Sequence, residues 1–305
     1  DVLKSQTDNI AKEDAYTLAL FAQDEIKLLR NLQALIGVRY IYHENFKNHA
    51  TPNVALMYKP GKFNFRASYA AGFRTPTLSE LYATDIAKKN DRLTIGNLDL
   101  KPEKNNYFSL SAEYVHERFS VSVNAFYNNI RDMIDYNTIA TGDKAMEQYG
   151  HKEVRQRDNI AEAKVHGINV SANAYLGAGF NLSGGYTHLN TQDVELEQPI
   201  DKSIKNAYNI NAQWAHSWKI YRLNINLNGR INSKRFSKSY GYAPEYQLWD
   251  LNTRHSFNLK SVIIEPGCGM ENLFDYMDDR PYNSNYATLT PGRSFYISLS
   301  LKFKS

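Results

Sequence analysis

Apolar and polar side chains alternate with a period of two along most of the chain. The first clear case lies within residues 15–26, where Tyr16, Leu18, Leu20 and Ala22 share one parity. Successive side chains of a strand point to opposite faces, so the alternation predicts a β-strand with one apolar side. Leu32, Ala34, Ile36, Val38, Tyr40 and Tyr42 repeat it against Gln33, Gly37, Arg39 and His43. Further strands are predicted over 50–59, 62–74, 104–116, 119–133, 159–176, 179–190, 203–217, 219–233, 245–259, 262–275 and 293–303, which makes thirteen. Two of them show what the faces meet. Phe119, Val121, Val123, Ala125 and Tyr127 oppose Ser120, Ser122, Asn124 and Asn128, and Tyr221, Leu223, Ile225 and Leu227 oppose Arg222, Asn224, Asn226 and Asn228. Rows of asparagine opposite apolar rows suit a wall with lipid on one side and a wet lumen on the other.

The connections sort by length. Short ones fall near 28–30, 60–61, 117, 177, 218 and 260, and longer ones near 44–49, 75–103, 134–158, 191–202, 234–244 and 276–292. Short and long alternate, as in antiparallel membrane barrels with tight periplasmic turns and longer outer loops. The first strand then runs inward, and the last finishes near Phe303 on the periplasmic side. Thirteen strands cannot close on themselves in a single-chain barrel of even strand number, so strands are expected upstream, unless one hairpin is miscounted. The chain opens in polar sequence at Asp1 and reads as mature or trimmed, with trimming favoured by the strand count.

Composition narrows the class. The 305 residues include 22 Tyr, 14 Phe and 3 Trp, and 42% are hydrophobic, while mean hydropathy is −0.55. No run approaches the roughly 18 apolar residues of a spanning helix, so a helical membrane protein is excluded. Aromatic richness with overall polarity fits a barrel wall, although a soluble sandwich or propeller shares some of these cues. A lone Cys268 excludes an internal disulfide framework and any multi-cysteine metal site. A net charge of +4, from 36 basic and 32 acidic residues scattered along the chain, leaves no nucleic-acid footprint.

At the C-terminal end, Glu271-Asn272-Leu273-Phe274-Asp275, then Thr290-Pro291-Gly292-Arg293-Ser294-Phe295-Tyr296, then alternating Ile297, Leu299, Leu301 and Phe303 resemble the closing strands of TonB-dependent outer-membrane receptors. Ala19-Leu20-Phe21-Ala22-Gln23-Asp24-Glu25 followed by Gly37-Val38-Arg39-Tyr40 is similar to that family's mid-barrel hairpin. Residues Ser68 to Leu81, with Phe73-Arg74-Thr75-Pro76, and Asn97-Leu98-Asp99-Leu100-Lys101-Pro102-Glu103 match the segments that follow it. The matches run in the family's order from about residue 19 to the end. The resemblance implies an all-β, antiparallel transmembrane β-barrel, with residues 1–305 forming the C-terminal part of a 22-stranded plugged barrel whose plug and early strands lie outside them. It further implies a bacterial outer-membrane receptor and importer of a scarce nutrient, driven by the TonB complex through the plug. Other expected partners are the barrel-assembly machinery, outer-membrane lipid and a possible surface lipoprotein. No cofactor is required and no nucleic acid is expected.

The cargo is open at this point among a ferric siderophore, haem and cobalamin. Haem receptors of the family carry a Phe/Tyr-Arg-Ala-Pro box and an Asn-Pro-Asn/Asp-Leu box flanking a histidine. Here Thr75 replaces Ala, Leu98 replaces Pro, and no His lies between residues 75 and 100, which weakens the haem reading. His43, His49 and His151 fall in or beside predicted outer loops and are candidate haem or metal ligands, with solvated loop histidines as the plain alternative. Large polar cargo would be met by Tyr, Arg and Asn on outer loops, so Arg74, Tyr82, Tyr149, Arg155, Tyr240, Tyr242, Tyr282 and Tyr286 are candidate ligand-binding residues, several of which would equally suit an outer aromatic girdle. No catalytic residue is assigned, since neither Gly-x-Ser-x-Gly nor His-Glu-x-x-His occurs. A diffusion porin and, further off, a barrel hydrolase are the alternatives.

Overall fold

A computed structural model describes residues 2–3, 13–237, 241–278 and 290–304. Thirteen long strands pair side by side in sequence order to form the wall. They are β1 (Thr17–Leu29), β2 (Leu32–His43), β3 (Lys47–Tyr58), β4 (Phe63–Arg74), β5 (Glu103–Val115), β6 (Phe119–Thr141), β7 (Glu153–Gly177), β8 (Phe180–Asp193), β9 (Asn206–Trp218), β10 (Tyr221–Asn232), β11 (Tyr246–Asn258), β12 (Val262–Glu271) and β13 (Ser294–Phe303). Every neighbouring pair in the wall is antiparallel. The sheet is open, with β1 and β13 as its edges.

Register keeps the apolar parity on one surface. Leu20 faces Tyr40, Val54 faces Tyr69, Leu110 faces Ala125, Leu227 faces Leu251, and Cys268 faces Ile297. This surface is bare: Ile297 is 88% exposed, Leu110 66% and Leu20 63%, and such an apolar expanse requires hydrocarbon to cover it. Aromatic side chains band both ends of that surface. The inner band links Phe63 to Tyr114, Trp218 to Tyr221 and Tyr221 to Phe257 at 4.9, 5.6 and 5.0 Å, and the outer one links Tyr69 to Phe108 and Tyr186 to Tyr208 at 4.8 and 4.7 Å.

The opposite surface is a polar lattice. Asn211 donates to Asn226 and Asn228 at 2.6 and 2.7 Å, Ser68 and Ser109 share a hydrogen bond of 2.6 Å, and Thr187 donates to Asn169 at 2.9 Å. Lys302 pairs with Glu265 at 2.6 Å. Cross-strand amide and hydroxyl pairs satisfy one another here while leaving the surface wettable.

The inner turns are tight. At the β7–β8 turn Ala178 and Gly179 both take left-handed backbone, and a Cβ on Gly179 would collide with the Ala215 carbonyl. Two expectations change on the outer side. The connection between β2 and β3 is a three-residue turn, 44–46, rather than a longer loop over 44–49, because Asn45 N–H donates to His43 Nδ1 at 3.1 Å and Lys47 closes the turn with φ 61°. The expected loop 134–158 is mostly strand. β6 and β7 continue pairing as far as Thr141 and Glu153, and only a short helix, α2 (Gly142–Tyr149), joins them.

Candidate ligand-recognition face

The outer loops between β4 and β5 and between β6 and β7 fold together into a cap. After β4, Thr77 begins helix α1 (Leu78–Tyr82) with a reciprocal capping box: Glu80 N–H donates to Thr77 Oγ1 at 3.2 Å, and Thr77 N–H donates to Glu80 Oε2 at 2.9 Å. Arg74 ties this helix to the wall through Glu80 at 2.9 Å and Glu103 at 2.6 Å. Glu103 also accepts from Ile134 N–H at 2.8 Å, so one guanidinium and two carboxylates join β4, α1, β5 and β6. Burial pushes the Glu80 carboxyl up, but the Thr77 N–H and the Arg74 guanidinium outweigh it and hold it below its usual range.

The Asn97–Glu103 stretch fastens the returning end. Asp99 N–H donates to Asn97 Oδ1 at 2.9 Å, which sets a turn that delivers Leu100 beside Leu81 and Ile134; these side chains are 3%, 5% and 8% exposed. Tyr82 and Phe46 pack against that cluster. A Cβ on Gly96 would stand 2.5 Å from the Leu81 carbonyl oxygen, so the loop and α1 touch through glycine. Asn159 of β7 clamps the segment: its Oδ1 accepts from Lys101 N–H at 2.7 Å, and its Nδ2 donates to the Lys101 and Asp132 carbonyls at 2.9 and 2.6 Å.

Between these anchors, Thr84–Ala87 and Arg92–Ile95 form a hairpin whose second strand pairs in parallel with Glu153–Gln156 of β7. Leu93, Ile95 and Tyr149 pack on Val154, Ala145 and Ala140. His151 donates to Asp91 at 2.8 Å and holds the Asp91 carboxyl below its usual range.

Most candidates from the sequence are structural partners in this cap. Arg74 is engaged with two carboxylates, Arg155 binds Glu153 at 2.6 Å, and Tyr82 and Tyr149 pack against apolar clusters. Tyr242 is 60% exposed and lies edge-on to Phe236 at 5.3 Å. Tyr240, Tyr282 and Tyr286 lie outside the described residues. His43 is buried within the β2–β3 turn, and His49 stacks on Phe73 at 3.7 Å while donating to the Phe46 carbonyl at 2.8 Å. No group of three metal-binding side chains forms among the described residues.

The lumen side adds residues that residue type and loop position do not single out as a site. Beside Asn272 and residues 290–292, Asn209, Asn211, Asn228, Arg230, Asp250 and Glu271 line a concavity of about 510 Å³. Arg230 is exposed and forms no ion pair among the described residues. Asn272 forms the rim: with left-handed backbone it donates to the Tyr276 and Pro291 carbonyls at 2.7 and 3.0 Å and accepts from Tyr276 N–H at 2.8 Å, while Asp275 accepts from Arg293 N–H at 2.6 Å. The signal for Arg230 was its parity with Arg222, Asn224, Asn226 and Asn228, which places it on the wet face high on β10.

A family model described as TonB dependent receptor-like, beta-barrel, matches residues 2–273. Among solved structures, a variant of the ferric enterobactin receptor PfeA from Pseudomonas aeruginosa is similar with a TM-score of 0.77 at 20% identity, over 98% of this chain and 46% of that one. The siderophore receptor PirA from Acinetobacter baumannii gives 0.75 at 17% identity, over 98% and 47%. BauA, the ferric preacinetobactin receptor of the same organism, gives 0.67 at 17% identity, over 95% and 43%. The chain thus spans about half the length of each receptor it matches.

Proposed function

Because the chain belongs to the family of TonB-dependent receptor β-barrels, we propose that it forms wall and outer recognition face of an outer-membrane receptor that imports a ferric siderophore. Energy would come from the TonB complex acting on a plug outside this chain. The observation that carries the reading is the combination of a two-faced antiparallel wall with a folded outer cap above a polar lumen. Two edge strands without a partner among the described residues, and matched receptors about twice as long, support the further proposal that residues 1–305 are the C-terminal part of a 22-stranded plugged barrel.

A siderophore is favoured over haem on the chemistry of the outer face. His43, His49 and His151 are each engaged in turn or loop contacts, whereas exposed Arg230 and Tyr242 and the asparagines of the upper lumen offer hydrogen-bond donors to a large, oxygen-rich chelate. Binding and transport need no catalytic group of this chain. Its residues would bind and orient the cargo, and the described loops would shield it from bulk water.

The test is a titration of the full-length receptor in detergent with ferric catecholate and ferric hydroxamate siderophores, haem and cobalamin, followed by tryptophan fluorescence. Saturable tight binding of a ferric siderophore, together with iron-limited growth that requires TonB, is expected. Binding confined to haem or cobalamin would overturn the cargo, and uptake independent of TonB would overturn the transport class.

A further inference from the structure

The connections at the two ends of the wall differ in charge. The outer ones hold thirteen basic and fourteen acidic residues and so balance. The six inner ones hold Arg30, Lys59, Lys62, Arg118, Lys219 and Lys260 against the single carboxylate of Glu117. All six cations are exposed, and none forms an ion pair among the described residues. Only the turn between β7 and β8 lacks one.

Backbone hydrogen bonds hold these turns at one level. The carbonyls of Asn31, Lys62, Arg118 and Ile220 accept from the N–H groups of Lys59, Val115, Tyr175 and Asn258 at 2.8, 2.9, 2.7 and 2.7 Å. Each of these turns is thereby tied to the strand beyond its own hairpin, and the rim is continuous. Successive turns stand about 10 Å apart, two strand widths, which is about one Debye length. Neighbouring cations therefore repel one another unless an anion lies between them.

The inner aromatic band fixes their depth. Lys62 directly precedes Phe63, Arg118 directly precedes Phe119, and Lys219 directly follows Trp218. Those three rings lie 4.9, 5.6 and 5.6 Å from Tyr114, Tyr114 and Tyr221. Such a band sits at the membrane–water interface, so at about 3.3 Å per residue the cations stand at the level of the inner leaflet's phosphates.

We propose that the inner rim is a binding ring for anionic phospholipids of the periplasmic leaflet, whose phosphates bridge the cations of neighbouring turns. An acidic protein would be met by a patch gathered on one side. Here the cations are spread over five of the six turns, at head-group depth and bordering lipid along the whole wall. That distribution matches a layer of lipid phosphates. The inference rests on the chain spanning the outer membrane with its short turns inward, and it is independent of the cargo.

The test places the full-length receptor in bilayer nanodiscs and compares quenching of tryptophan fluorescence by brominated phosphatidylglycerol and brominated phosphatidylcholine. Trp214 and Trp218 lie beside Lys219, with ring centroids 6.2 Å apart, and report the lipid at that turn. The parent should prefer the anionic lipid. At about fivefold per cation near an anionic lipid surface, K219Q/K260Q should cut this preference on the order of tenfold. K59Q/K62Q changes net charge equally but lies three turns away, and should leave the preference intact. Siderophore binding by both variants should match the parent, which shows that they are folded; a failure of lipid preference with that binding intact bears on this inference alone. Equal quenching by the two lipids in the parent, or an undiminished preference in K219Q/K260Q, overturns the ring. Loss of the parent's preference in millimolar inorganic phosphate at constant ionic strength overturns it in favour of a free anion, and displacement of the lipid by a soluble polyglutamate peptide would reassign the rim to an acidic protein.

Discussion

Replacing Asn159 with alanine should detach the returning end of the 75–102 loop without disturbing the barrel. Asn159 makes three hydrogen bonds, one accepted from Lys101 N–H at 2.7 Å and two donated to the Lys101 and Asp132 carbonyls at 2.9 and 2.6 Å. At about 1 kcal/mol net for each, the loss is about 3 kcal/mol, which raises the local opening constant on the order of a hundredfold. Asn159→Asp keeps the acceptor for Lys101 N–H and loses both donors, so it should fall between parent and alanine. The assay is amide hydrogen exchange of the full-length receptor in detergent, read on peptides covering residues 84–103, with peptides from β9 to β11 as internal reference. Loss of protection confined to the loop is expected. If exchange in the loop changes by less than threefold, or if β9 to β11 lose protection in step with it, Asn159 is no local clamp and the reasoning fails.

Leu100→Ala should open the same loop by a different route, since Leu100 is 3% exposed against Leu81 and Ile134; a cost of about 2–5 kcal/mol is expected, read as faster tryptic cleavage at Lys88 and Lys89. The Glu80 carboxyl lies below its ordinary value of 4.5 in the folded loop, so its contribution is complete above that pH and is lost as pH falls through the lowered value. Loop exchange should therefore accelerate below about pH 4.5 in the parent and much less in Glu80→Gln, and equal pH profiles would count against the junction. Nitroxides on Leu223 or Leu227 should collide with oxygen from the bilayer, and nitroxides on Asn224 or Asn226 with an aqueous nickel chelate; the reverse pattern would turn the wall inside out.

Much of the architecture was legible because a strand's side-chain period is local. The alternation at Phe119–Tyr127 and Tyr221–Asn228 marks which face meets lipid with no knowledge of the partner strand, and the thirteen wall strands follow from it. The outer side was less legible. His43 shapes its own turn and shortens the expected 44–49 loop, and β6 and β7 zip upward past residue 133 because Ala140 and Val154 find α2 and the Arg92–Ile95 strand to pack against. Neither outcome is encoded by period. Residue type and loop position nominate the candidates, and neither reveals that Arg74 is engaged by Glu103, 29 residues on, or Tyr82 by a cluster reaching Ile134.

The order of residues along the chain already carries the strand pattern and the assignment of faces, because each depends on neighbours two residues apart. That Arg74, Asn159 and Asn272 serve as clamps, and that Arg230 stands exposed on the wet face, emerges from the folded wall alone. Those outcomes depend on register between strands, and register brings together side chains whose separation along the chain carries no trace of their contact.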